Sequence, residues 1–243
     1  MLPTLPPLKV GDAVWAVVIQ KGPKGATLGA YAEYVVTKES KVSFKPTNLS
    51  FEEAGAMPLA GLTALQCLRA VDTAEGSAVL VLGGSGATGS AGIQIAKAMG
   101  AKVYTTCSTR NMEYVKSLGP DEVIDYTKQD WAEVLKGKNL DGAFDSVGEN
   151  DGINRAVGIL KAGGKVSTIA GAMPTEALPN GITAKFIMTN SQSVEDLDYL
   201  KGLCEESKFK MKIEKTYPFE KVAEAFQVSM AGKSWESSES RHR

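Results

Sequence analysis

The stretch from Ala78 to Gly100, AVLVLGGSGATGSAGIQIAKAMG, limits the fold more than any other part of this chain. An apolar run with strand character leads straight into Gly84-Ser85-Gly86-Ala87-Thr88-Gly89, and the residues after it carry apolar side chains at helical spacing. G-x-G-x-x-G alone is a weak signal. Between a strand and a helix, inside a βαβ unit, it is the pattern of a turn that receives a dinucleotide pyrophosphate. Glycines allow the tight bend and remove the side chains that would hold phosphates away from the backbone. The helix start then presents unpaired N–H groups and a partial positive charge. The competing reading is a glycine-rich α/β turn that takes no nucleotide.

From Ser77 onward the chain alternates strand and helix. AVLVLG, KVYTTC, EVIDY, GAFDSV and GKVSTIAG are strand candidates, with helices expected over Ser90 to Met99, Met112 to Leu118, Trp131 to Leu135 and Gly152 to Leu160. Strands apolar throughout and joined by helices predict an α/β fold, a doubly wound parallel sheet of the Rossmann kind. TAKFIMT, a helix from Val194 to Glu206, a strand FKMKIEK and a helix from Phe219 to Ala231 should follow. The first 57 residues read differently. VGDAVWAVV and GAYAEYVV are short β-rich runs, the second alternating as a half-buried antiparallel strand would. Ser50 and Glu53 have the spacing of a capping box, and Pro58 suits the first turn of the next helix. The chain thus divides into a β portion (1–57), a nucleotide-binding portion (58–190), a C-terminal α/β segment (191–233) and a polar, low-complexity tail (234–243) expected to be disordered.

Several classes drop out on composition. With 27 Lys+Arg against 28 Asp+Glu, net charge −1, the basic footprint of a nucleic-acid binder is missing. No apolar run is long enough to span a bilayer, and the Pro-broken start lacks a signal-peptide core. Cys67, Cys107 and Cys204 are far apart, and His242 is the single histidine, so no metal ligand set and no His-dependent triad is expected.

The second strand chooses the cofactor. A site for NAD usually has Asp or Glu at its end, about 20 residues after the glycines. Here the strand runs into Ser108-Thr109-Arg110-Asn111, with no acid until Glu113. Hydroxyls, an amide and a guanidinium suit a 2′-phosphate, so NADP(H) is preferred over NAD(H). Tyr126 falls at the adenosine end, with a half-buried strand-end tyrosine as the alternative. Asp145-Ser146-Val147-Gly148 and Ile169-Ala170-Gly171 end the next two strands, where Val147 and Ile169 could present backbone groups to the nicotinamide.

Taken in order, VGDAVWAVV, GAYAEYVV, NLSFEEAGAMPLAGLTALQCL, VLVLGGSGATG, STRN, VIDYT, DSVG and GGKVSTIAG resemble the medium-chain dehydrogenase/reductases. Within them the chain is similar to the zinc-independent quinone oxidoreductase branch and its plant-type enone reductases, over about residues 8 to 233. The resemblance implies a nucleotide-binding domain beside a partial GroES-like β-barrel domain, with NADPH in the cleft between. It places Ala87 and Thr88 at the pyrophosphate, Ser108, Thr109, Arg110, Asn111 and Tyr126 at the 2′-phosphate, and Thr63 and Ile169 toward the nicotinamide. Members of the family carry a longer stretch before the position of Leu8 and a closing strand after Lys233, so both ends read as truncated or alternatively spliced. The implied reaction is hydride transfer from NADPH to an α,β-unsaturated carbonyl (enone) or a quinone, both small-molecule partners. Tyr31 and Tyr34 are candidates for the proton donor, against packing as the commoner role of hairpin tyrosines. Cys107 reads as an inert packing thiol. A homodimer and a cytoplasmic or chloroplast location are further expectations of the resemblance. The alternatives are a zinc alcohol dehydrogenase, disfavoured by the ligand inventory, and a non-catalytic NADP-binding homologue.

Overall fold

In the computed structural model, residues 7–18, 20–21, 27–149 and 151–230 are described; the tail 234–243 lies outside them. The apolar runs form a six-stranded parallel sheet: Ala78–Leu82 (β5), Lys102–Cys107 (β6), Glu122–Asp125 (β7), Leu140–Asp145 (β8), Leu160–Thr168 (β9) and Thr183–Phe186 (β10). Its spatial order is β10-β9-β8-β5-β6-β7, and every neighbouring pair is parallel. Counted from β5, this is the order 3-2-1-4-5-6, with the direction of winding reversing between β5 and β8.

Period-two geometry explains why these strands are apolar on both faces. On β5, Val79 and Val81 enter one buried cluster while Leu80 and Leu82 enter the other. The first cluster is closed by Pro58–Ala70 (α2), Ala87–Ala98 (α3) and Val194–Glu205 (α7), through Leu62, Leu65, Ile93, Ile95, Leu197 and Leu200. The second is closed by Trp131–Leu135 (α5) and Gly152–Val157 (α6), through Trp131, Leu135, Ile153 and Ala156. Met112–Ser117 (α4) links β6 to β7. Among the described residues no helix is long and apolar enough to cross a membrane.

The first 57 residues give two short antiparallel ribbons. Val14–Trp15 (β1) pairs with Ser43–Phe44 (β4), and Gln20–Lys21 (β2) with Thr27–Leu28 (β3). Trp15 reaches into the main core, and Asn48 Nδ2 donates to the Cys204 carbonyl at 2.8 Å, tying this portion to α7. Phe51–Ala56 (α1) begins with both halves of the capping box, Glu53 N to Ser50 Oγ at 3.2 Å and Ser50 N to Glu53 Oε2 at 3.0 Å. Pro58 opens α2 as expected.

Three expected elements differ. Residues 29–36 form no strand, and all are exposed. Alternation makes a strand only where one face has something to bury against, and among the described residues every side chain of this run stays exposed. FKMKIEK forms no strand. Phe209 and Met211 are buried as its pattern demands, yet Phe209 N donates to the Leu203 carbonyl in the last turn of α7 and Lys210 N to the Gln94 side chain of α3, so these two amides are satisfied by helices rather than by a strand. The helix expected over Gly152 to Leu160 stops at Val157 because Leu160 already belongs to β9. Phe219–Lys221 is a 3-10 turn, and Val222–Met230 (α8) follows it.

Candidate dinucleotide site

The carboxyl ends of β5, β6, β7 and β8 surround a cleft of about 870 Å³. Its lining includes Gly83, Ser85, Gly86, Tyr126, Trp131 and Val147. It lies at the point where the winding reverses, the place where an open α/β sheet leaves room for a ligand.

Each glycine of the turn has its own reason to be there. Gly83, one residue before the G-x-G-x-x-G motif, takes φ +83° and makes the bend. A Cβ on Gly83 would also sit 2.6 Å from Val147 Cγ2. Gly84 lets α3 approach β6, since a Cβ would meet Thr105 Oγ1 at 2.3 Å and Ile93 Cδ1 at 2.8 Å. Gly89 faces the turn at closest range: a Cβ there would lie 2.1 Å from the Gly83 carbonyl oxygen. Gly86 is different. A Cβ on it would meet nothing nearer than 3.4 Å, so the bareness of Gly86 is turned toward the cleft rather than toward the protein. Gly86 is the N-cap of α3 and supplies no side-chain cap. The first-turn N–H groups, beginning at Ala87 and Thr88, have no intrahelical acceptor by geometry. Open backbone, an uncapped twelve-residue helix and a roomy cleft together fit a pyrophosphate.

The rim is braced from three strands. Gly83 N donates to Thr106 Oγ1 at 3.1 Å and Gly84 N to the Thr106 carbonyl at 2.9 Å. Ser146 Oγ donates to the Leu82 carbonyl at 2.6 Å. Asp145, buried at the end of β8, receives Val147 N at 2.9 Å and Gly148 N at 3.0 Å on one oxygen and the Thr168 hydroxyl at 3.2 Å on the other. On the far wall the Trp131 indole donates to Glu149 at 3.0 Å, and the Arg155 guanidinium lies over its ring at 4.5 Å while pairing with Glu149 and Asp130.

The expected 2′-phosphate group is only partly assembled. Tyr126 is more than half exposed and lines the cleft. Thr109 does not offer a free hydroxyl, because it donates to Asp125, a buried carboxylate at the end of β7. Asn111 is buried and turns its amide back to Ser108 Oγ at 3.4 Å. Arg110 is exposed but does not line the cleft. Asp125 went unread in the sequence; it also accepts from Thr127 Oγ1 at 2.6 Å and Thr127 N at 3.0 Å. The Thr109 and Thr127 hydroxyls hold its pKa below the ordinary carboxylate value. Adjacent, Lys128 lines the cleft.

Toward the nicotinamide end, Val147 is exposed in the cleft. Ile169 is half-buried, and its N–H donates to the Asp145 carbonyl at 3.3 Å. Thr63 is buried in α2, where its hydroxyl donates to the Leu59 carbonyl at 2.7 Å and therefore accepts from Thr189 at 2.8 Å. Tyr31 and Tyr34 are exposed outside the cleft lining, Tyr31 against Phe226 with ring centroids 5.3 Å apart. Burial, with the neighbouring Asp125 charge, pushes the Cys107 thiol up to about 11; burial lifts Cys67 to about 12, and burial with the Glu205 charge lifts Cys204 to about 12. None is poised as a thiolate nucleophile. Among the described residues no three or more His, Cys, Asp or Glu side chains gather as metal ligands, so this donor set does not fit a zinc ion.

Comparison with known proteins places this geometry. The family model of zinc-binding dehydrogenases matches residues 87–209, from the first residue of α3 to beyond α7. The chain is 40% identical over 233 residues to 2-methylene-furan-3-one reductase of Solanum lycopersicum, covering 93% of this chain and 56% of that protein. It is 38% identical to the chloroplastic NADPH-dependent alkenal/one oxidoreductase of Arabidopsis thaliana, covering 90% of this chain and 55% of that one. The chain thus spans about half the length of these curated relatives. The solved quinone oxidoreductase from Coxiella burnetii superposes with a TM-score of 0.79 at 30% identity, over 93% of this chain and 70% of that one. Glycine turn, strand order and relatives agree: this chain belongs to the zinc-binding dehydrogenase family, in the medium-chain dehydrogenase/reductase fold.

Proposed function

We propose that the chain is the cofactor-binding part of an NADPH-dependent oxidoreductase that reduces the C=C bond of an enone or reduces a quinone. The observation that carries this reading is the bare, uncapped Gly86–Thr88 turn opening on a cleft at the sheet's switch point. The two relatives whose names specify an enone reductase and an NADPH-dependent alkenal/one oxidoreductase support the reaction class. Bound NADPH would supply the hydride. The chain's own residues would bind and orient: N–H groups of Ser85, Ala87 and Thr88 at the pyrophosphate, Tyr126 at the adenosine end, and the backbone of Val147 and Ile169 toward the nicotinamide. A conjugated acceptor is electrophilic without a metal. Pairing of two copies along the open edge of β10 belongs to the same proposal.

Trp131, in the cleft wall, provides the assay. NADPH should quench indole emission and gain sensitised emission of its own, and NADPH oxidation should follow addition of an enone or a quinone. Absence of saturable binding at millimolar NADPH would defeat the cofactor reading. Binding without turnover of either acceptor class would instead favour a non-catalytic NADP-binding protein.

A further inference from the structure

We propose that Lys128 is a specificity-determining residue of the cleft: its ammonium, beside the Asp125 carboxylate, is the cation that makes an additional phosphate on the adenosine ribose acceptable at this end. The inference rests on the dinucleotide reading of the cleft.

The sequence pointed to Ser108, Thr109, Arg110 and Asn111, yet none of the four lines the cleft. Thr109 has its single hydroxyl proton on Asp125, and the Asn111 amide is directed to Ser108. Tyr126 and Lys128 do line it. Asp125 would by itself make this end hostile to a dianion, since like charges at short range repel. That carboxylate is fixed and ionised, held by the Thr109 hydroxyl and by the Thr127 hydroxyl and N–H. Lys128 Nζ stands 3.7 Å from Asp125 Oδ2, close enough to offset the charge but beyond hydrogen-bond range of about 3.2 Å. Its N–H donors are therefore not spent on Asp125, and its side chain is two-thirds exposed. A surface pair of this kind contributes little to folding. The same ammonium can neutralise Asp125 and donate to a phosphate, which a ribose hydroxyl in its place would not require.

The test measures dissociation constants of NADPH and NADH by Trp131 quenching for the wild type, Lys128→Gln, Lys128→Glu and Arg110→Gln, with melting midpoints as a folding control. The wild type should prefer NADPH. Lys128→Gln should weaken NADPH about tenfold and NADH less than about twofold. Lys128→Glu should weaken NADPH further, and neither substitution should move the midpoint appreciably. An unchanged NADPH-to-NADH ratio in both Lys128 variants overturns the proposal while leaving the cofactor site standing. Loss of preference confined to Arg110→Gln does the same. Failure of the wild type to bind either nucleotide removes the site and the proposal together.

Discussion

At the end of β7 the Asp125 carboxylate is surrounded by donors from two segments, Thr109 after β6 and Thr127 two residues on. Because these hydrogen bonds, the Thr109 bond foremost, depress its pKa in the folded chain, the sign of its pH effect is fixed. A carboxyl lowered on folding stabilises the native state above its unfolded pKa near 4 and loses that contribution as pH falls through the lower folded value. The melting midpoint should fall as pH drops below about 4, and Asp125→Asn should show a shallower fall; superimposable profiles would refute the role. This residue also marks where the sequence stops being readable. The absence of an acid right after the second strand was legible, but Asp125 lies sixteen residues beyond Thr109 and reaches it through space. Nothing in the linear pattern distinguishes a threonine donating to a carboxylate from one open to a phosphate.

Among elements, the glycine turn allows a cleaner separation of folding from binding. Gly89→Ala puts a methyl group 2.1 Å from a backbone carbonyl oxygen that cannot swing aside. It should cost about 2 kcal/mol or more of stability, as overpacking does, and abolish nucleotide binding. Gly86→Ala meets only an ordinary contact, 3.4 Å from the Gly83 carbonyl oxygen, at φ −73°, so stability should stay within about 1 kcal/mol. Its NADPH affinity should nonetheless drop, because the methyl group projects into the path of the phosphates. Chemical denaturation beside a binding titration checks both, and equal stability losses would contradict the division of roles. The turn and the strand–helix alternation were legible because local spacing encodes them. The bend at Gly83 was not, since a run of two glycines does not say which one takes positive φ. Residues 29–36 failed for the opposite reason: their alternation is real, but tertiary cover decides whether such a run pairs.

Across the whole molecule, four strand–helix units in succession, followed by a further apolar strand, indicate a parallel sheet covered on both faces, which is why the fold class could be read without coordinates. The free edge could not. Among the described residues β10 pairs with β9 on one side and with no strand on the other, and Phe186 and Met188 beside it are exposed. Unpaired edge groups next to apolar side chains favour strand addition, so light scattering at micromolar concentration should report the mass of two chains. Phe186→Asp should shift that value toward one, and a monomeric wild type would rule the pairing out. The buried Asp145 has a wider bearing. By taking two amides of its own loop and the Thr168 hydroxyl from β9, it sets the crevice mouth before any guest arrives. A receptor already in its competent shape forfeits little entropy on association and is not diluted by a closed population; its affinity reports the contacts themselves.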